Sequence, residues 1–267
     1  MTCFDAHNHL QHEWLGAHLP RVIDTLTDIG IGGAVVNGTV VGDWGSVTEL
    51  AGRYSWVIPS YGLHPWYIRE RPADWERVLR AKLDEGGAVG EIGLDRWMDG
   101  YDFDDQQAVF RAQLRLAAER NVPATIHCLR AWGALWDIIR SEAVPACGFL
   151  LHAYGGPAEM IEGFASRGAY FSFNASFLAA TKQNKREAFI HVPPDRLLVE
   201  TDAPAMPLPP DLVRYPLPAT AGGEPVNHPG NLAVAYEGLA EIRAMDPESL
   251  SRLVRENFRR LFGGRLG

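Results

Sequence analysis

Two histidines stand two residues apart in Phe4-Asp5-Ala6-His7-Asn8-His9, and with Cys3 and Asp5 they share one face of any extended strand that carries them. Imidazoles at that spacing reach a common divalent cation, because a neutral ring offers a lone pair near pH 7. The same pattern suits a polar strand end beside a loop, and His12 and His18 follow without obvious order. What the later apolar runs end in decides between the two. Glu91 stands in Val89-Gly90-Glu91-Ile92-Gly93-Leu94-Asp95, and His127, His152 and Asp202 each follow a short apolar run. Taken singly, each has a plain alternative: a rim hydrogen bond for a histidine, a salt bridge for Glu91, a turn cap for Asp202 ahead of Ala203-Pro204. Together, four histidines and two carboxylates converging on one rim suit two divalent cations with one carboxylate bridging. Such a site positions and deprotonates a water and stabilises both the attacking and the leaving oxygen. A carboxylate touching that water serves as general base.

Convergence requires elements that end on one side. Apolar, β-branched runs near 2–6, 33–38, 56–61, 88–92, 124–127, 148–151, 169–173 and 197–200 read as strands. They are short and nearly continuous, as buried parallel strands are. Helical patterns lie between them, over 19–29, 75–85, 104–120, 132–141, 157–167 and 181–191, with a weaker one over 41–54. Eight strands alternating with helices predict an α/β protein, a closed (β/α)8 TIM-type barrel whose site lies at the C-terminal strand ends. An open doubly wound sheet is the alternative, but no G-x-G-x-x-G follows a strand. Residues 202–229 hold eight of the 18 prolines and predict a long irregular loop. Two C-terminal closing helices follow near 231–243 and 247–262, the second with Asp246 as N-cap. With no repeat or linker, residues 1–267 read as a single domain.

The length of 267 residues suits such a barrel. No apolar run reaches the ~18 residues of a membrane span, and no secretion signal is expected at the start. Three cysteines without metal-type spacing fit a reducing, cytoplasmic setting. The net charge of -8 argues against a broad nucleic-acid-coating surface.

The sequence resembles the TatD-like metal-dependent hydrolases of the amidohydrolase superfamily. The likeness runs nearly end to end through Phe4-Asp5-Ala6-His7-Asn8-His9-Leu10, Gly62-Leu63-His64-Pro65, Gly90-Glu91-Ile92-Gly93-Leu94-Asp95, Ile126-His127, Leu151-His152, Glu200-Thr201-Asp202 and Glu256-Asn257-Phe258-Arg259-Arg260-Leu261-Phe262. It implies a (β/α)8 barrel, two divalent metals, Zn2+ foremost with Mn2+ or Mg2+ as alternatives, and phosphodiester hydrolysis of the deoxyribonuclease kind. Carried over, His7, His9 and Asp202 would hold one metal, His127 and His152 the other, and Glu91 would bridge. Asp202 would also be the general base, and His64 a contact to substrate phosphate. Independently, no lysine lies at a strand end to bridge in carboxylated form, which supports Glu91 in that place. Asp5, one strand repeat before His7, is expected to orient that ring.

Departures from the family pattern fall on the substrate side: Trp66 after His64-Pro65, Cys128-Leu129-Arg130 after His127, Ala153-Tyr154-Gly155-Gly156 after His152, and Asn227-His228-Pro229. Trp66, Arg96 and Tyr154 are the expected substrate contacts, with Trp66, Tyr67 and Tyr154 stacking on bases. Lys182, Lys185 and Arg186 read as a solvated helix face rather than a phosphate track. The expected substrate is a phosphodiester, such as DNA ends or short oligonucleotides. An amidohydrolase cleaving a C–N or lactone bond is the alternative, and a low-turnover metal-binding protein the lesser one.

Overall fold

Runs such as Leu197-Leu198-Val199 offer no face to water, and each becomes a strand buried on both sides. The computed structural model describes residues 1–97 and 100–265. Its strands are β1 (Cys3–Asn8), β2 (Ile31–Asn37), β3 (Val57–Tyr61), β4 (Ala88–Asp95), β5 (Ala124–Leu129), β6 (Phe149–Leu151), β7 (Ala169–Asn174) and β8 (Leu197–Glu200). They lie in one sheet in sequence order, every ladder parallel. The seam between β8 and β1 is tied just past the strand ends. There Asp202 N donates to His7 O at 2.9 Å and His9 N to Ala203 O at 2.8 Å. The eight strands thus form the nearly closed barrel that the alternation of elements predicts.

The helices are α1 (Glu13–Gly16), α2 (Leu19–Asp28), α3 (Trp44–Arg53), α4 (Trp75–Asp84), α5 (Phe103–Arg120), α6 (Trp132–Ser141), α7 (Ile161–Ser166), α8 (Gln183–His191), α9 (Leu232–Ile242) and α10 (Pro247–Phe262). Their apolar stripes cover the outer face of the sheet; Phe258 of α10 packs on Phe4 of β1 with ring centroids 4.9 Å apart. Caps set their ends. Asp102 accepts from Asp104 N and Asp105 N at the start of α5, and Asn121 ends that helix in the left-handed region at φ 47. Asp246 caps α10 as expected, accepting from Ser249 N at 2.9 Å. The weak pattern over 41–54 divides into a 3-10 turn, Val41–Asp43, and α3. The division follows from Asp43, whose carboxylate accepts from Thr39 N at 2.9 Å and Thr39 Oγ1 at 3.0 Å. The short α1 was not foreseen; His12 caps it by accepting from Trp14 N, which gives that histidine a local duty.

β4 runs three residues past its expected end. A register shift between Val89 and Ile92 interrupts its ladder with β5, which then resumes through Ile92–Ile126, Gly93–His127 and Asp95–Leu129. An extra residue of this kind re-aims a side chain, here Glu91. Gly93 is required by contact: at φ +152, a Cβ there would lie 1.9 Å from His127 O. The long loop after β8 carries a 3-10 turn over Pro210–Leu212 and one antiparallel bridge, Pro216 to Asn227.

Candidate metal centre at the barrel mouth

The seam assembles the first donor group. Because Asp202 N bonds His7 O, the last residue of the set is fastened beside the first. Asp202 adopts φ 52, a left-handed conformation that Asp tolerates better than branched residues do. Asp5 does not orient the His7 ring. Its Oδ1 accepts from Thr201 N at 3.0 Å and His7 N at 3.3 Å, and its Oδ2 from Thr201 Oγ1 at 2.6 Å and Asn8 Nδ2 at 3.1 Å. It therefore staples the two backbones across the seam. Burial pushes the Asp5 carboxyl up to about 7 against the opposing pull of its bonds from Thr201 and Asn8. No partner reaches His7 Nδ1 among the described residues.

Four donor atoms face one another there. His7 Nε2 and His9 Nε2 are 3.2 Å apart; each lies 3.4 Å from Asp202 Oδ1, and they lie 3.4 and 3.2 Å from Glu91 Oε2. Donors on a cation with bonds of about 2.0–2.1 Å sit about 3.3–3.4 Å apart in a tetrahedron. The spacing fits such an ion. Glu91 turns its other oxygen to a second group. Oε1 is 2.9 Å from His152 Nε2, 3.1 Å from His127 Nδ1 and 3.4 Å from His64 Nε2, and the two former nitrogens are 3.2 Å apart. All six residues expected from the sequence therefore meet at one mouth, every one with little or no exposure.

Outer partners aim the rings. His9 Nδ1 meets Asn37 O at 2.7 Å, and His127 Nε2 meets Asp95 Oδ2 at 2.8 Å. That Asp95 oxygen also accepts from Trp66 Nε1 at 2.8 Å, while Asp95 N is held by Gln106 Oε1 at 2.9 Å. A carboxylate behind a ligating histidine fixes its tautomer and raises its basicity. Sequence reading assigned Asp95 no role, although its place at the end of the Glu91 motif was the available signal. Behind His152 lies the buried Glu200, 3.5 Å from Nδ1, with Ser172 Oγ donating to its carboxylate.

Electrostatics follow from crowding charge in a dry site. Burial lowers His9, yet hydrogen bonds to Asp202 and Glu91 overcome it and carry the ring up to about 10. Burial raises Glu91, but the surrounding imidazoles outweigh it and hold the carboxyl well below the usual range. Asp202 is likewise held low, against its burial, by His7 and His9. His64 goes the other way: burial takes it down to about 4, so its ring is neutral at pH 7.

The remaining expected contacts divide. Trp66 is half-buried at the mouth, its ring centroid 5.0 Å from that of His64 and its indole N–H spent on Asp95. Arg96 is exposed at the end of β4 with its guanidinium 3.8 Å over Phe103. Tyr154 is a correction: it is 0% exposed, wedged against Trp132 and Phe171, and its hydroxyl donates to Pro157 O at 2.7 Å. A ring enclosed in that way cannot stack on a base. The basic trio is not a solvated face either. Lys182 and Lys185 are half-buried over Phe177, and Arg186 donates to Phe177 O and Ala179 O.

A barrel with a twofold group of imidazole and carboxylate donors at its C-terminal mouth has the makings of a water-activating metal hydrolase. The chain matches the family model described as TatD related DNase over residues 4–263, and it belongs to that family of metal-dependent hydrolases. The metal-dependent hydrolase YabD of Bacillus subtilis is 29% identical over 262 residues, 97% of this chain and 98% of that one. A 3'-5' ssDNA/RNA exonuclease TatD of Citrobacter koseri is 30% identical over 237 residues, 88% of each chain. Among solved structures, the TatD homologue YJJV of Escherichia coli K12 superposes with a TM-score of 0.88 over 98% of each chain at 24% identity, a likeness of fold. Among the described residues, no helix is long and apolar enough to cross a membrane.

Proposed function

We infer that this chain, acting as one functional unit over 1–267, hydrolyses phosphodiesters with two divalent cations. The substrates are the ends of single-stranded nucleic acid or short oligonucleotides in a reducing, cytoplasmic compartment. The observation that carries the reading is the division of Glu91 between two donor groups. Its Oε2 lies 3.2 Å from His9 Nε2, and its Oε1 lies 2.9 Å from His152 Nε2. His7, His9 and Asp202 would hold one ion and His127 and His152 the other, with Glu91 shared between them. Mixed imidazole and carboxylate donors suit Zn2+ first, with Mn2+ and Mg2+ as alternatives. Bound there, divalent ions would supply the positive charge that lowers the pKa of a water and offsets charge on phosphate oxygens.

The chain's own groups do the rest. Asp202 meets the imidazoles through Oδ1, which leaves Oδ2 to accept the water's proton. The charges that keep its carboxyl ionised also keep it ready as a base. His64, neutral and at the edge of the second group, presents Nε2 to a phosphate oxygen. Asp95 keeps the His127 ring aimed with Nδ1 inward. Support for nucleic acid comes from the family and from the named activity of the Citrobacter koseri relative.

The test is metal analysis of purified protein, then chelation, then return of Zn2+, Mn2+ or Mg2+. Turnover is followed on phosphodiester, phosphomonoester, amide and lactone substrates. Chelation should abolish phosphodiester cleavage and metal should restore it. Undiminished turnover in metal-free protein, or turnover confined to amides or lactones, overturns the reading.

A further inference from the structure

Trp97 lies two residues past the end of β4, and 55% of it is exposed. A tryptophan is ordinarily highly buried, and this ring stands largely in water beside the barrel mouth. Its place is defined from below: Trp97 N donates to Asp95 Oδ1 at 2.6 Å, and the other oxygen of that carboxylate meets His127 Nε2 at 2.8 Å. One carboxylate therefore separates this loop from the second donor group. On the neighbouring strand, Asp95 pairs with Leu129, so the residues that follow, Arg96 and Arg130, leave the barrel side by side.

Arg130 lies with its guanidinium carbon 3.9 Å from the Trp97 ring centroid, and Arg96 lies 3.8 Å from that of Phe103. Neither cation has a carboxylate within salt-bridge distance among the described residues, in a chain of net charge -8. Arg130 is held at φ 55, a conformation that a long side chain seldom adopts. Aromatic faces for bases beside cations for the backbone are the components of single-strand binding.

We propose that Trp97, backed by Arg130 and flanked by Arg96, is a stacking platform for a base of a single-stranded nucleic acid whose neighbouring phosphate reaches the metal centre. The free face of the indole takes the base; the two guanidiniums take backbone phosphates. The inference rests on the phosphodiesterase reading above and adds the residues that select a strand over a small diester. Because stacking tolerates any base, the platform imposes a single-strand preference without a sequence preference.

The test measures binding and turnover separately on full-length, metal-loaded protein. Binding of a fluorescent, hydrolysis-resistant phosphorothioate oligothymidylate is followed by anisotropy for wild type, Trp97→Ala, Trp97→Phe and Arg130→Gln. Trp97→Ala should weaken binding by about tenfold or more, and Trp97→Phe should keep most of it. Arg130→Gln should flatten the dependence of log affinity on log salt by about 0.7, one phosphate contact. In turnover, Trp97→Ala should lower kcat/KM on an oligothymidylate relative to bis(4-nitrophenyl) phosphate, through KM. A Trp97→Ala protein that binds the strand like wild type sinks the platform, even if small diesters are still cleaved. A wild type that binds through Trp97 yet cleaves no diester upholds the platform and sinks the reaction instead.

Discussion

Asp202 faces both His7 and His9 through Oδ1, and the proposed reaction assigns the water's proton to its Oδ2. Asp202→Asn separates the two roles, since an amide oxygen still faces the imidazoles but takes up no proton. The variant should retain much of its metal while kcat falls by about 10²–10⁴-fold. Metal analysis beside steady-state kinetics checks this; normal turnover at normal metal content would remove Asp202 as base. His64 carries a sharper question, because its Nε2 lies 3.4 Å from Glu91 Oε1, near enough to join the donors around the second position. As a phosphate contact, His64→Ala should raise KM for phosphodiesters and leave two metals per chain. Loss of one metal on that substitution would make His64 a ligand. The family resemblance made His64 a phosphate contact; the ligand alternative was closed to the sequence, in which Gly62-Leu63-His64-Pro65 shows a histidine after a strand but not the 3.4 Å that brings it to Glu91.

At the scale of elements, the site is held by two irregularities in otherwise regular strands. One is the seam, where ladder bonds pass through His7, His9, Asp202 and Ala203 rather than through β8 itself. The other is the shift in β4 that turns Glu91 inward, followed by Gly93 pressed on the His127 carbonyl. Gly93→Ala would place a methyl where no side chain fits, at a φ that L-residues avoid, and should cost more than about 3 kcal/mol. A methyl added at Gly133 of α6 would meet nothing within 4 Å, and Gly133→Ala should stay within about 1 kcal/mol of wild type. Urea unfolding of the two variants measures the contrast. Equal midpoints for both would mean that the β4–β5 contact yields without loss.

For the whole molecule, acid–base linkage ties metal to folding. Without metal, His9 has its pKa raised to about 10, and His127 and His152 are raised as well. A raised histidine stabilises the metal-free fold fully below its unfolded value near 6.5, and that contribution fades as pH climbs through about 10. Glu91 and Asp202, held low, contribute above their unfolded values and lose that contribution in acid. Metal-free protein should therefore be most stable between these limits. Binding a divalent ion near pH 7 must displace imidazole protons. Calorimetric titration in buffers of different ionisation heat should show net proton release, diminishing as pH approaches 10. Proton-neutral binding at pH 7 would mean the imidazoles are already unprotonated in the metal-free chain.

The alternation of eight strands with helices, hence the barrel, and the six candidate ligands were legible in the sequence, because hydrophobic period and residue type are local properties of a chain. The spacing of His7 and His9 left a metal pair and a polar strand end both open, and the strand ends that Glu91, His127, His152 and Asp202 follow favoured the metal pair. The rest depends on groups far apart in sequence coming within a few ångströms. Asp95 behind His127 is 32 residues away, and Thr201 on Asp5 is 196 away. Tyr154 looked like a rim aromatic because a sequence shows that a tyrosine follows a strand, not which way its ring turns; packing against Trp132 and Phe171 turned it inward. The ordering of donors into two groups around one carboxylate has the same origin. It is set by closure of the seam and the shift in β4, which are relations between strands rather than properties of any one of them.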